Sequence, residues 1–180
     1  MNLFELGILD FINEHFSCKF LDIFMPFITK FADGGIFWII LALVLMIIPK
    51  TRRWGFSMGL ALLIGYLVGN LFLKNVVGRI RPYDLNTDFN LLIKPLSDFS
   101  FPSGHTLASF EGAVVLFIRN KKFGIAALIL ATLIAFSRLY LYVHYPTDVL
   151  ASIILGTAIA ILSCFIIDKI YLKYESRIKK

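Results

Sequence analysis

The chain has 180 residues, of which 58% are hydrophobic and 17% charged, and its formal net charge is +6. This length fits one domain, residues 1–180, and the apolar excess is typical of integral membrane proteins rather than soluble ones. The basic residues flank apolar runs, so they indicate membrane topology and exclude a nucleic-acid partner. Cys18 and Cys164 are far apart, which argues against a disulfide framework or a zinc site. No cleaved signal peptide is expected, because a basic stretch before a cleavage site is missing.

The N-terminal region, residues 1–33, mixes apolar and charged positions. Phe20 and Ile23 are interleaved with Lys19 and Asp22 at roughly helical spacing. This pattern predicts amphipathic helices that lie in the membrane interface, with a poorly apolar first span as the alternative.

Five apolar segments follow, each long enough or nearly long enough to cross a hydrocarbon core of ~30 Å. They are predicted to be helices, because backbone polar groups must be paired inside lipid. The segments are 35–49, 54–74, 103–118, 123–141 and 149–170. The predicted fold class is therefore all-α: a polytopic membrane helical bundle with five full spans plus N-terminal amphipathic helices, or six spans if the N-terminal region crosses.

Lysine and arginine residues are concentrated on one side of this predicted bundle. Alternating spans place three basic groups together, and the positive-inside rule makes that side and the C-terminus cytoplasmic. The residues are Lys50, Arg52, Arg53, Arg119, Lys121, Lys122, Lys169, Lys173, Arg177, Lys179 and Lys180. Three polar strings, described next, then fall together on the outer face. This arrangement predicts a plasma-membrane protein with an extracytoplasmic site.

The first string is KNVVGRIRP, residues 74–82. Lys74 and Arg81 are two helical turns apart and would share one face if the helix continued past Lys74, before Pro82 breaks it. A lysine point charge and an arginine fork suit a tetrahedral phosphate. The alternative is a snorkelling lysine with loop cations at a helix end.

The second string is PSGH, residues 102–105. Ser103 is predicted to begin a helix whose free N–H groups would form an anion site, with His105 in the first turn. Gly104 would allow a phosphate to approach the backbone closely. The alternative is a serine cap beside an interfacial histidine.

The third string is SRLYLYVHYPTD, residues 137–148. Asp148 is four residues after His144, so it could hold one ring nitrogen and leave the other free to attack. Arg138 adds a cation, and Ser137 is expected only to support packing or a local hydrogen bond. The alternative is a loop histidine beside an aspartate that caps a helix.

Together these strings resemble the type 2 phosphatidic acid phosphatase superfamily: lysine, six residues, Arg-Pro; then Pro-Ser-Gly-His; then Ser-Arg, five residues, histidine, three residues, aspartate. Every position is filled within residues 74–148, the motif-bearing core. The resemblance implies a phosphatase that needs no cofactor or metal, because three cations replace a magnesium pair.

The same resemblance implies a role for each motif residue. His144 would attack phosphorus and become phosphohistidine, Asp148 would orient it, and His105 would protonate the leaving oxygen. The phosphate oxygens would be held by the remaining motif residues. These are Lys74, Arg81, Ser103, Gly104 and Arg138.

The implied substrate is a lipid phosphate, with undecaprenyl pyrophosphate of cell-wall biogenesis as the first expectation. The alternatives are phosphatidylglycerophosphate or phosphatidic acid. Vanadate-dependent haloperoxidases belong to the same superfamily, but they are soluble proteins. The predicted membrane spans therefore argue against a haloperoxidase. A non-catalytic protein that binds or transports lipid phosphates is the rival of another class. The sequence predicts membrane lipids as further partners and leaves the oligomeric state open.

Several residues outside the pattern carry weaker expectations. Arg79 is expected to contact either a second phosphate or the lipid head groups. Glu111 is expected to face the bundle interior with a hydrogen-bond partner. Tyr140 and Tyr142 fit an aromatic belt at the interface. The polar loop 75–101 is expected to cover the site or receive the substrate head group.

Overall fold

The structure is a computed structural model that describes residues 3–178. The basic positions predicted at Lys179 and Lys180 lie outside this range. The elements in chain order are α1 (Leu3–Phe16), α2 (Lys19–Thr29), a 3₁₀ segment (Lys30–Gly35), α3 (Ile36–Ile47), α4 (Arg52–Gly65), a π-helical segment (Tyr66–Leu73), α5 (Lys74–Val77), α6 (Pro82–Leu85), α7 (Gly104–Arg119), α8 (Lys121–Tyr140) and α9 (Pro146–Ile178).

The bundle is all-helical across the described residues, and five helical stretches correspond to the five predicted spans. Four stretches are long and apolar enough to cross a membrane: Lys19–Ile47, Arg52–Leu85, Lys121–Tyr140 and Pro146–Ser176. Helix α7 has 16 residues, or about 24 Å, and is short for a span. It is the most buried of the five, surrounded by α4, α8 and α9. The predicted helical membrane bundle is confirmed.

Close helix packing depends on glycines that face bulky neighbours. A Cβ at Gly156 of α9 would lie 2.9 Å from the Leu107 carbonyl oxygen of α7. A Cβ at Gly112 of α7 would lie 2.2 Å from the Trp38 ring of α3. Larger residues at either position would force α9 or α3 away from α7 and open the core.

The helices alternate in direction, so all three polar strings lie at one end of the bundle. Ion pairs join the helices at the opposite end. Arg119 donates to Asp168 at 2.8 Å and to the Ser57 hydroxyl at 2.8 Å, and Arg53 pairs with Glu175. These contacts fix α4, α7 and α9 relative to one another far from the polar strings.

Helices α1 and α2 pack at the same end as the polar strings. The buried Tyr140 hydroxyl donates to Asp22 of α2 at 2.6 Å, and the buried Tyr142 hydroxyl donates to Asp10 of α1 at 2.6 Å. The expectation that these tyrosines form an aromatic belt is therefore wrong. They are fully buried because they attach the two N-terminal helices to the end of α8.

The helix that carries Lys74 does not continue to Arg81. Helix α5 ends at Val77, and Gly78 has a left-handed φ of 56°, a conformation that glycine adopts at little cost. Arg81 follows in extended backbone before Pro82 begins the short helix α6. The condition for a shared helical face is not met, and the two cations converge through loop geometry instead.

Candidate active site

A cavity of about 920 Å³ opens at the end of the bundle where the polar strings meet. Its polar end is lined by Lys74, Arg81, Gly104, His105 and His144. The other predicted site residues, Ser103, Arg138 and Asp148, are buried around this end. All eight predicted site residues therefore belong to one region.

The tautomer of His144 is determined by a backbone carbonyl. Its Nδ1 lies 2.7 Å from the Ser100 carbonyl oxygen, which can only accept, so Nδ1 carries the proton. Burial lowers the pKa of the imidazole to about 3, so the ring is neutral at physiological pH. Nε2 then presents its lone pair beside Arg81 Nη1, at 3.4 Å. A neutral Nε2 next to cations has the properties of a nucleophile toward phosphorus.

Asp148 supports His144 through Ser100 more than by direct contact. The shortest distance between an Asp148 oxygen and His144 Nδ1 is 3.7 Å, longer than a hydrogen bond. The same carboxylate accepts from the Ser100 hydroxyl at 2.5 Å and from the Tyr145 N–H at 2.9 Å. The spacing of four residues does not place both side chains on one helix, because α9 begins only at Pro146.

Lys74 and Arg81 are held together by Asp98 of the polar loop. One Asp98 oxygen pairs with Lys74, and the other accepts from Arg81 Nη2 at 2.6 Å. Burial would raise the pKa of Asp98, but the hydrogen bond and charge of Lys74 and the charge of Arg81 lower it to about 2. An anionic carboxylate therefore bridges the two cations predicted to hold phosphate oxygens.

Arg138 is a buried cation with unused hydrogen-bonding capacity. Nη1 donates to the Thr29 hydroxyl at 2.6 Å, while Nε and Nη2 have no partner among the described residues. Buried guanidinium groups are ordinarily fully hydrogen-bonded, because desolvating a charge is costly. The unused donors mark a position that suits an anion.

The Ser103 side chain caps the N-terminus of α7. The Ser103 hydroxyl lies 2.9 Å from the Thr106 hydroxyl and caps the helix, while the Ser103 N–H donates to Ser152 at 2.9 Å. A Cβ at Gly104 would lie 3.0 Å from Asn70 Oδ1. The serine is thus a helix cap, and the glycine leaves room for the Asn70 side chain beside the first turn.

His105 contacts a residue that the motifs did not contain. Its Nε2 lies 2.8 Å from Asp33 Oδ1, in the 3₁₀ segment between α2 and α3. The N-terminal region therefore reaches the site directly.

Arg79 belongs to a partly buried ion-pair network. It pairs with Asp148 at 2.5 Å and with Glu5 of α1, and its guanidinium lies 3.8 Å from the centre of the Tyr145 ring. Glu5 also accepts from the Thr147 N–H at 3.0 Å. Helix α1 is thereby joined to the turn that carries His144 and Asp148.

The cavity continues from its polar end into an apolar groove between α3, α4 and α7. Groove residues include Ile39, Leu43, Met46, Leu62 and Leu63. The lining runs from Lys74 back to Gly59, about 20 Å along the helix axis. One enclosure therefore combines a cationic end with a long apolar arm.

Glu111 of α7 lines the apolar arm. It is almost fully buried, as expected, but the expected partner is missing: Oε1 has no hydrogen bond among the described residues. Gly65 of α4 provides its space, since a Cβ there would lie 1.8 Å from Oε1.

A cluster of cations beside two histidines, at the mouth of an apolar groove in a helical membrane bundle, is the arrangement expected of a membrane phosphatase. The family model described as PAP2 superfamily matches residues 54–171. The chain belongs to the PAP2 superfamily, and it is a lipid phosphate phosphatase embedded in the membrane.

Three known proteins illustrate the likeness. The undecaprenyl-diphosphatase of Sulfolobus acidocaldarius is 34% identical over 140 residues, covering 77% of this chain and 67% of the relative. The undecaprenyl-diphosphatase BcrC of Bacillus subtilis is 34% identical over 142 residues, covering 79% and 72%. The crystal structure of Aquifex aeolicus LpxE superposes with a TM-score of 0.79 at 30% identity, covering 89% of this chain and 94% of that one.

Proposed function

We propose that the protein hydrolyses a lipid diphosphate or monophosphate at the outer membrane face through a phosphohistidine at His144. The observation that carries the proposal is the cavity itself, whose cationic end and apolar arm fit one amphiphilic molecule. We further propose that residues 1–180 form one domain with residues 74–148 as its catalytic core.

In the first step, His144 Nε2 attacks phosphorus and the bond from phosphorus to the leaving oxygen breaks. Lys74, Arg81, Arg138 and the N–H groups at Gly104 hold the equatorial oxygens while charge moves toward the leaving group. His105 donates its proton to the leaving oxygen. The unused Nε and Nη2 donors of Arg138 support its assignment to an oxygen of the phosphate.

In the second step, water attacks the phosphohistidine and the phosphorus–nitrogen bond breaks. The now neutral His105 accepts a proton from that water, and inorganic phosphate leaves. Nδ1 of His144 keeps its hydrogen bond to the Ser100 carbonyl throughout, while Asp148 and Ser100 stabilise the charge on the phosphorylated ring. The site returns to its starting protonation state.

The preferred substrate is undecaprenyl diphosphate, because two relatives are undecaprenyl-diphosphatases. Its diphosphate would occupy the cationic end, and the first isoprene units would enter the apolar arm. Phosphatidylglycerophosphate and phosphatidic acid combine the same two chemistries and are the alternatives to be tested against it.

The test is phosphate release by purified protein in detergent with EDTA, comparing the three lipids in parallel. Wild type is expected to release phosphate fastest from undecaprenyl diphosphate, and His144→Gln is expected to release none while still binding a fluorescent lipid phosphate. Equal turnover by wild type and His144→Gln would refute the mechanism. A folded wild-type protein that binds all three lipids and hydrolyses none would support the rival non-catalytic carrier.

The outer-face orientation rests on the basic residues at the opposite end of the bundle, such as Lys50 and Lys122. It can be tested in a background with both Cys18→Ser and Cys164→Ser, with a single cysteine introduced at Asp88, in the polar loop, or at Lys122. A membrane-impermeant maleimide applied to intact cells should label Asp88→Cys and spare Lys122→Cys. The reverse pattern would place the site in the cytoplasm.

A further inference from the structure

The junction between α2 and α3 is shaped so that Asp33 reaches His105. Asp33 leaves the helical conformation with a ψ of 119°, and Gly34 and Gly35 follow with left-handed φ values of 58° and 69°. Two consecutive left-handed residues are inexpensive only for glycine. The Asp-Gly-Gly sequence therefore breaks the helix above the N-terminus of α7, where a Cβ at Gly35 would lie 3.9 Å from the Ala108 Cβ.

The contact determines which nitrogen of His105 is free. Asp33 Oδ1 lies 2.8 Å from Nε2, so the carboxylate accepts the Nε2–H and leaves Nδ1 for another partner. His105 lines the cationic end of the cavity, while the Asp33 side chain is 60% exposed. A carboxylate that holds one nitrogen of an imidazole also restricts the ring orientation, as in other carboxylate–histidine pairs.

The charges around His105 give the carboxylate a second role. Burial, together with the charges of Arg138 on α8 and Lys74 on α5, disfavours a positive charge on His105. Asp33 is the negative group that opposes them, and Lys30 is a further positive charge that acts on Asp33. A general acid must be protonated before the leaving group departs, and an adjacent carboxylate stabilises the protonated ring.

The same junction makes a second contact with the site. The Thr29 hydroxyl, at the end of α2, accepts from Arg138 Nη1 at 2.6 Å. Thr29 and Asp33 are separated by one turn of 3₁₀ helix, so one segment touches both a phosphate-binding cation and the proposed acid.

We propose that Asp33 is a positioning residue that orients His105 and favours its protonated form for proton donation to the leaving oxygen. The inference rests on the proposed phosphatase mechanism, in which His105 is the general acid. It extends the site to a segment outside the three motif strings.

The experiment compares two amphiphilic substrates that differ in their need for an acid. Dodecyl phosphate releases an alkoxide that must be protonated, whereas 4-dodecyl-2-nitrophenyl phosphate releases a stable nitrophenolate. Asp33→Asn is expected to lower kcat/KM for the alkyl ester by about 30-fold or more and for the aryl ester by less than about threefold. The alkaline limb of the alkyl profile should move to lower pH, and Asp33→Glu should restore part of the loss.

Two further variants make the result decisive. Asp22→Asn, on α2 and bonded to Tyr140, is the matched control and should leave the ratio of the two kcat/KM values unchanged. His105→Asn is the benchmark and should show the largest ratio. Equal losses on both esters in Asp33→Asn, or no loss, would overturn the inference if His105→Asn still discriminates between them. If His105→Asn does not discriminate either, the general-acid role fails and the inference fails with it.

Discussion

At the scale of single residues, the site of the free protein is built around an internal anion. The Asp98 carboxylate bridges Lys74 and Arg81, where phosphate oxygens are proposed to bind, and its low pKa keeps it ionised above pH 4. A substrate phosphate must therefore displace this carboxylate or share its cations with it.

Asp98→Asn should strengthen inhibition by orthophosphate by about two- to fivefold, since Asp98 is half-exposed and such pairs are worth little. The measurement is the inhibition constant of added orthophosphate, determined from initial rates of hydrolysis of a fluorescent lipid substrate. Weaker inhibition in Asp98→Asn would show instead that the carboxylate positions the two cations for phosphate.

Arg138 provides a second residue-scale prediction, in which stability and activity respond differently. A buried guanidinium with two unused donors contributes little to folding, so Arg138→Met should leave Tm in detergent unchanged or raised. Activity should fall by about a hundredfold or more, because a preorganised donor to the transferring phosphate is lost.

The matched control is Arg119→Met at the other end of the bundle. Arg119 is bonded to Asp168 and Ser57, so its loss should lower Tm and affect turnover only through the amount of folded protein. A Tm for Arg138→Met that falls as far as that of Arg119→Met would contradict the assignment.

The sequence predicted the motif residues of the site because their chemistry is unusual in an apolar chain. Lys74, Arg81, His105, His144 and Asp148 stand out by charge at membrane depth. Their partners could not be predicted in the same way. Ser100 acts partly through its backbone carbonyl, and Asp33 looked like one of several charges in an amphipathic stretch.

At the scale of helices, α1 is attached to the turn that carries His144 and Asp148 by a nearly fully buried carboxylate, that of Glu5. Glu5 pairs with Arg79 and accepts from the Thr147 backbone and hydroxyl, while Arg79 pairs with Asp148. Burial would raise the pKa of Glu5, but the hydrogen bonds from Thr147 and Arg79 lower it, so the residue is ionised at pH 7.

Glu5→Gln should destabilise the protein by about 2–4 kcal/mol, because it leaves Arg79 with less compensation in a buried network. Turnover per folded molecule should fall with it, because Asp148 loses a rigid partner. The measurements are Tm and kcat in detergent, with Glu14→Gln on the exposed face of α1 as the control. Identical behaviour of the two variants would show that α1 is only an interfacial anchor.

Element prediction from the sequence succeeded for the long apolar helices and was incomplete at their ends. The length of the apolar runs predicted α3 and α8 to within about two residues, and segment 54–74 matches α4 together with the π-helical segment. Helix α9 continues to Ile178, beyond the predicted end at residue 170. The early end of α5 depends on a single left-handed glycine, Gly78, and the contacts of Tyr140 and Tyr142 depend on helices distant in the chain. Such features depend on single residues or on contacts between distant parts of the chain, so they leave no periodic pattern in the sequence.

At the scale of the whole molecule, the bundle separates two tasks. One end is joined by structural ion pairs around Arg119, while the other collects the buried titratable groups of the site. A site of this kind is expected to reduce the stability of the fold, because it keeps buried titratable groups in charge states that they would not adopt in water.

The buried neutral His144 should make stability depend on pH. Its pKa is about 3 in the folded protein and about 6.5 when unfolded, so between these values the unfolded chain binds more protons. Stability should therefore fall as pH decreases from 6.5. His144→Gln should lessen the fall in Tm between pH 7 and pH 5, and an unchanged fall would show that other groups are responsible.

The most direct test of the central claim is to trap the covalent intermediate. Enzyme mixed with ³²P-labelled undecaprenyl diphosphate, labelled at the terminal phosphate, is quenched in alkali within milliseconds and digested, since phosphohistidine survives alkali and is lost in acid. We predict label on the peptide that contains His144, none in His144→Gln, and turnover in that variant reduced by about a thousandfold or more. Undiminished turnover in His144→Gln, or label confined to another residue, would contradict the mechanism.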